Sequence, residues 1–424
     1  MINLKKTTIC DGVNFTCIND NRFKTSRISA TMFMPLTSST ASTNAILPFI
    51  LSRSCKEYPR LIKLNEKLSE LYGATIYPSV NKIGEAQALT ISINGIDDKY
   101  SLDGKSVSQE LIKLLCSIIF RPNLNSYNKF REDDINQEKR QLIELLDSEF
   151  NDKKVYSKLR CEQSMCSNEK FGINRLGTKE QLLKLNCDNI YNAWENVIKT
   201  SQIELIMIGN SDYEASYQVF KDEFSKIQRN FTSNINTEVI RNSQKIKEYT
   251  DKMEVSQCKL VMGFRAGVAT PDNEVSAMRV MTALFGGTPH SKLFLNVREK
   301  MGLCYYCSAK YDRFKGIILV ESGVEKNNVD KAKEEILNQL ESIKHGDFNE
   351  SEISATKLAI SNNFRTLSDQ LVNLESYYIS QVFDKEILTP EQQAEKINGV
   401  SKEDIINVAN KVTLDTVYLL ENKN

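Results

Sequence analysis

LFLNVREKMGLCYYC, residues 293–307, is the stretch on which the reading of this chain turns. Leu293, Phe294 and Val297 recur at helical spacing and lead into Arg298-Glu299-Lys300. Gly302 then supplies the left-handed backbone at which helices commonly end, and an aromatic strand opens near Leu303. Arg298 and Tyr305, seven residues apart, therefore bracket a helix-to-strand turn. Read from its residues alone, Arg298 suits a solvated or salt-bridged helix position and Tyr305 a core position. Cys304 and Cys307 lie three apart on the expected strand, where regular alternation sends them to opposite faces and argues against a redox pair.

Working outward, the same pattern occurs a second time. LYGATIYPSVNKIGEAQALTISING in the first half answers MGLCYYCSAKYDRFKGIILVESG, with Gly73, Tyr77 and Ser79 opposite Gly302, Tyr306 and Ser308 at a constant offset of 229 (73 to 302). A helix start, F-x-E-x-[DE]-I, occurs at Phe130 and again at Phe348. LGTKEQ from Leu176 answers LTPEQ from Leu388, each opening a helix-helix-strand unit that finishes in IELIMIG or DTVYLLE. Three matches in one order with a period of about 220 residues mean two like domains in tandem, not a solenoid. The expected domains are residues 1–228 and 246–424, with the Asn-rich segment 229–245 as linker and start of the first strand of the second domain.

Each half reads as α+β. RISATMFM, KLVMGF, GIILVES and IELIMI are strand segments, whereas Leu111, Ile112, Leu114, Leu115, Ile118 and Ile119 follow helical spacing and stop at Arg121-Pro122. Strands in hairpin-like groups with helices between them predict a mostly antiparallel sheet covered by helices on one face.

Composition excludes several classes of function. Lys plus Arg and Asp plus Glu balance at 55 each without a basic cluster, so nucleic acid is not an expected partner. The start MINLKKTTICDGVNFTC lacks an apolar stretch of signal-peptide length, and no run suffices to cross a bilayer, which predicts a cytoplasmic protein with no membrane partner. Ten cysteines, mostly within apolar runs, read as reduced, buried thiols. The chain carries no G-x-S-x-G, P-loop or Rossmann glycine pattern, so an independent enzyme with another nucleophile is disfavoured.

The run LF-x-x-x-REK-x-GL-x-Y, with its Arg and Tyr seven apart, resembles the C-terminal half of the pitrilysin and insulinase family, the inverted zincins. The resemblance implies two homologous halves facing each other across a chamber, with Arg298 and Tyr305 holding a substrate peptide. It also aligns Gly286 and Gly287 with a substrate-contacting loop, although Gly-Gly before Pro is equally an ordinary helix exit. In the first half the family binds zinc through HxxEH on a helix, with the Glu as general base. Aligned on Ser54-Cys55, those positions here are Ala45, Pro48 and Phe49, on a helix expected to be capped at Thr43 or Asn44. The family's further Glu ligand maps to Leu145, seven residues after Glu138 and next to Glu144. None of the four aligned side chains can ligate a metal. With only two histidines, His290 and His345, in the whole sequence, no zinc is expected in this chain.

Several runs, KLVMGFRAG among them, are similar to the zinc-less branch of elongation factor P 5-aminopentanol modification-associated proteins. The resemblance implies a zinc-bearing homologous subunit as partner, in a heterodimer that cleaves peptides with zinc held by the other chain. The alternative is a homodimeric scaffold or peptide-binding protein.

Overall fold

The computed structural model describes residues 3–102, 104–210, 212–232 and 234–423. By internal packing the chain divides into two units. The first comprises Met1–Leu146, Ile173–Asn236 and Gln370–Val382; the second comprises Asp147–Gly172, Thr237–Asp369 and Phe383–Asn424.

The first unit holds strands β1 (Asn3–Cys10), β2 (Val13–Asn19), β3 (Thr25–Pro35), β4 (Thr75–Ile83), β5 (Ala86–Ile96) and β6 (Gln202–Gly209), arranged β1-β2-β6-β3-β5-β4. The second holds β7 (Lys247–Met253), β8 (Cys258–Arg265), β9 (Cys304–Asp312), β10 (Ile317–Val324) and β11 (Thr413–Asn422), arranged β7-β11-β8-β10-β9. Apart from β1 the two orders are the same. In each, one pair is parallel (β2 with β6, β7 with β11), and the neighbouring pairs are antiparallel. The tandem α+β architecture expected from the repeat is present, with β4 and β9 as matching edge strands.

The duplicated sequence blocks become duplicated local chemistry. Helix Leu61–Glu70 ends at Gly73 (φ 74°) before β4, and the helical segment Leu293–Lys300 ends at Gly302 (φ 61°) before β9. Both turns need positive φ, which glycine adopts without the Cβ clash other residues meet. The Thr-x-x-Gln blocks are reciprocal caps. Thr178 accepts from the Gln181 amide while Gln181 Oε1 accepts from Thr178 N–H, and Thr389 and Gln392 do the same. Each satisfies two backbone donors that a helix start leaves open.

Both sheets are buried on both faces, where the alternation predicts helices on one face only. In the second unit Leu260, Met262 and Phe264 of β8 join the main apolar core, while Val261 packs on the opposite face with Cys161. Cys161 lies on helix Lys153–Met165, which comes from the first half of the sequence. Gly263 permits this approach, since a Cβ there would stand 2.8 Å from Met165 Sδ. The first unit is covered reciprocally by helix Leu371–Ile379 from the second half. There Glu375 accepts from Arg27 Nε at 2.7 Å and from Ser92 Oγ at 2.8 Å, an ion pair between residues 348 positions apart.

Two local expectations need correction. The helix over residues 41–51 begins before Thr43 and comes in two pieces, Ala41–Ala45 and Leu47–Leu51, because Pro48 has no N–H to continue the ladder. The second domain's first strand begins at Lys247, beyond the polar segment 229–245.

Candidate functional site

The segment Leu293–Lys300 is a π-helix, wound one residue wider per turn than an α-helix. Its wide turns close through Met301 N–H to Asn296 O at 3.0 Å, and Leu293 and Val297 anchor it in the core. Such windings are uncommon and concentrate at functional sites. Arg298, on its last turn, places its guanidinium 4.6 Å from the Phe294 ring, four residues earlier. Its Nε also lies 3.5 Å from Glu299 Oε1, and its side chain remains 37 % exposed. Arg298 is thus steered by a ring and loosely paired, not locked in a buried bridge.

Past Gly302 the chain enters β9 through a β-bulge. Val324 pairs with Cys304 and Gly323 with Tyr306, which leaves Tyr305 as the extra residue. A bulge re-aims one side chain and breaks the strand's alternation. Tyr305 is accordingly 73 % exposed, not part of the core. Its neighbour Tyr306 is the packed one. Tyr306 lies against Gly323, where a Cβ would come within 2.6 Å of Cε1, and the Lys154 ammonium stands 4.6 Å from its ring centroid. Burial, reinforced by the Glu321 charge, pushes its phenol well above the ordinary value.

The bulge also overturns the expectation for Cys304 and Cys307. They stand opposite Val324 and Ser322, two residues apart on β10, and so share one face of the sheet. The neighbouring Cys307 thiol lowers Cys304, against burial and with smaller help from Ser322 and the Arg298 charge, to about 7, while Cys307 is raised by the Cys304 thiol and by burial. No glycine or proline marks the bulge in the sequence, so strand periodicity could not reveal it. The Phe294–Arg298 stack, by contrast, was readable from its spacing of four.

Gly286 and Gly287 separate in role. Gly286 is buried at the end of the π-helical segment Ala283–Gly287, where a Cβ would meet Ala309 N at 2.7 Å. It permits close approach of helix to edge strand. Gly287 is exposed, at the helix exit.

In the first unit, Ala45 and Pro48 are buried, Phe49 is half-buried against the core, and Leu145 lies exposed on helix Glu132–Asn151. Arg53 occupies the acidic side of this region. It donates to Glu138 Oε1 at 2.8 Å, to Asp134 Oδ1 at 3.1 Å and to Gln137 Oε1 at 2.9 Å. Among the described residues no group of three or more His, Cys, Asp or Glu side chains could hold a metal ion. Nor is any helix among them long and apolar enough to cross a membrane.

Comparison with known proteins fits this arrangement. The family described as the peptidase M16 inactive domain matches residues 184–360. The chain is 31 % identical over 410 residues, 97 % of its own length and 96 % of the relative's, to the probable inactive metalloprotease YmfF of Bacillus subtilis (strain 168). The chain belongs to the M16 peptidase family. A conserved protein of Enterococcus faecalis V583 overlays with a TM-score of 0.91 at 28 % identity, covering 99 % of both chains. The M16 inactive domain protein of Pseudomonas fluorescens overlays with a TM-score of 0.79 at 11 % identity, covering 100 % of this chain and 99 % of its own, a likeness of fold alone. Within the M16 family this chain is similar to members described as inactive. Ala45, Pro48, Phe49 and Leu145, the expected zinc-motif positions, carry methyl, pyrrolidine, phenyl and isobutyl groups, and Glu138 is held by Arg53.

Proposed function

We propose that the chain is the non-catalytic subunit of a two-chain M16 peptidase, pairing with a zinc-bearing homologue and supplying Arg298 and Tyr305 to the peptide bound there. The observation that carries this reading is the bulge at Tyr305, which puts a phenol hydroxyl into solvent one strand-turn from a half-exposed guanidinium.

In this reading Arg298 donates to a substrate carbonyl through its planar fork, and Tyr305 donates its hydroxyl where negative charge develops during attack on the scissile carbonyl. The partner supplies the metal and the water it activates. A donor of this kind is worth roughly a hundredfold in rate. The edge position of β9 suits an extended peptide, since an edge strand offers unpaired backbone groups along its outer side. Gly287, exposed at the helix exit beside this strand's own helix, lies where a substrate backbone could pass without a side chain in the way.

The test begins with the separate chain. Purified alone it should contain no stoichiometric zinc by elemental analysis and should not cleave oligopeptides; mixed with its zinc-bearing homologue it should raise cleavage. Cleavage by the isolated chain that a chelator abolishes would end this reading. A homodimeric scaffold predicts self-association with no effect on the homologue's activity.

A further inference from the structure

Strand β9 carries two thiols that regular geometry would have kept apart. The bulge at Tyr305 brings Cys304 and Cys307 to one face, opposite Val324 and Ser322. They differ in access. Cys304 is half-exposed, whereas Cys307 is buried. The Ser322 hydroxyl stands across from Cys307 and donates to the Tyr306 carbonyl at 3.0 Å.

We infer that Cys304 and Cys307 form a redox-active dithiol, at which a hydroperoxide oxidises Cys304 and Cys307 resolves the product as an intramolecular disulfide. The atoms balance as follows. The Cys304 thiolate attacks one peroxide oxygen, the O–O bond breaks, and the departing hydroxide takes a proton to leave as water while Cys304 becomes a sulfenic acid. The Cys307 sulfur then attacks the Cys304 sulfur, the S–O bond breaks, and the leaving hydroxide combines with the Cys307 proton as a second water. Two thiols are oxidised by two electrons and one peroxide is reduced.

Placement and access favour this pair over the other cysteines. The bulge sets the two on one face, and at the partly exposed Cys304 the neighbouring Cys307 thiol and the Arg298 charge favour the thiolate. The interior thiols Cys116 and Cys161 go the other way, since burial raises both. Thiolate is the nucleophile, so a lowered, accessible thiol is the one expected to react first.

Geometry further sets the character of the bridge. Same-face neighbours on a strand are about 6.7 Å apart at Cα, near the upper limit a disulfide spans. The bond therefore forms under strain and is readily reduced, as regulatory disulfides are. Because Tyr305 lies between the two cysteines, closing the bridge fixes the bulge that projects it. That consequence for peptide binding rests on the function proposed above, whereas formation of the disulfide does not.

The test uses the full chain and needs no partner. Reduced, desalted protein is treated with hydrogen peroxide, alkylated and digested with trypsin. Both cysteines fall in one peptide, MGLCYYCSAK, residues 301–310, between Lys300 and Lys310. The expected product is this peptide two hydrogens lighter and unalkylated, formed before any other cysteine is modified and returned to the doubly alkylated form by dithiothreitol. In Cys307→Ser the sulfenic acid should persist at Cys304 and be trapped by a cyclic 1,3-diketone. Recovery of the wild-type peptide doubly alkylated, or carrying Cys304 sulfinate without a disulfide, overturns the inference, whether or not the variant folds.

Discussion

Arg53 donates through Nη1 to Glu138 Oε1 at 2.8 Å, next to helix Leu47–Leu51 in the first unit. Glu138 is nearly inaccessible, while Arg53 keeps Asp134 and Gln137 as further acceptors. The carboxylate is thus committed to a structural bridge between the turn after helix Leu47–Leu51 and helix Glu132–Asn151.

Removing that carboxylate should cost stability and leave zinc content unchanged. Glu138→Ala strips one charge-assisted hydrogen bond from a guanidinium that retains two others, so a loss of about 1–3 kcal/mol is expected. Denaturant unfolding with elemental analysis of the same samples checks both halves. A variant of unchanged stability would mean that Arg53 does not depend on Glu138.

A second bridge makes the fold acid-sensitive. Burial would raise the Glu169 carboxyl, but hydrogen bonds from Arg265 and Lys315 hold it below its usual value. A depressed folded value means the contribution is fully present above the unfolded glutamate value of about 4.3 and is lost as pH falls through the lower folded value. Glu169→Gln should therefore cost about 3 kcal/mol near neutrality, and less as acid is approached. Thermal unfolding of wild type and variant between neutral pH and pH 3 reads this convergence. A gap that widens toward acid contradicts it.

The two glycines that close the π-helical segment Ala283–Gly287 should respond by different amounts. At Gly286 a Cβ meets Ala309 N at 2.7 Å and Ala309 Cβ at 2.8 Å, part of it backbone that cannot yield, so Gly286→Ala should lose about 1–3 kcal/mol. At Gly287 the nearest atom is 3.5 Å away, and Gly287→Ala should change stability by less than about 1 kcal/mol. Equal effects in chemical unfolding would show that Gly286 is not a packing position.

Adjacent tyrosines on β9 make a sharper contrast. Tyr305 is solvent-facing on the bulge, so Tyr305→Phe should leave stability within about 0.5 kcal/mol of wild type. Tyr306 is packed over Gly323, and Tyr306→Ala should cost about 2–4 kcal/mol. Reversal of this order in denaturant midpoints would contradict the register of β9 on β10.

Much of this was legible because local rules carried it. The Gly73 and Gly302 turns and the Thr178 and Thr389 caps follow from residue identity at fixed spacing. Three features did not. The bulge at Tyr305 inserts one residue without a glycine or proline to announce it, so the alternation assigned Cys304 and Cys307 to the wrong faces. The break between Ala41–Ala45 and Leu47–Leu51 depended on a helix start ahead of Thr43, which leaves Pro48 to open a second piece in whose first turn it sits. Helices Lys153–Met165 and Leu371–Ile379 each cover a sheet from the other half of the sequence, through partners such as Arg27 and Glu375 that no local pattern connects.

The central claim, that this chain lends Arg298 and Tyr305 to a zinc-bearing partner, is tested most directly by peptide cleavage with the purified homologue. Wild-type chain, Arg298→Ala and Tyr305→Phe would each be added at saturating amounts. The account predicts that wild type stimulates cleavage and that each variant still binds the partner but lowers kcat by about a hundredfold. Full stimulation by both variants would contradict it and leave this chain a scaffold.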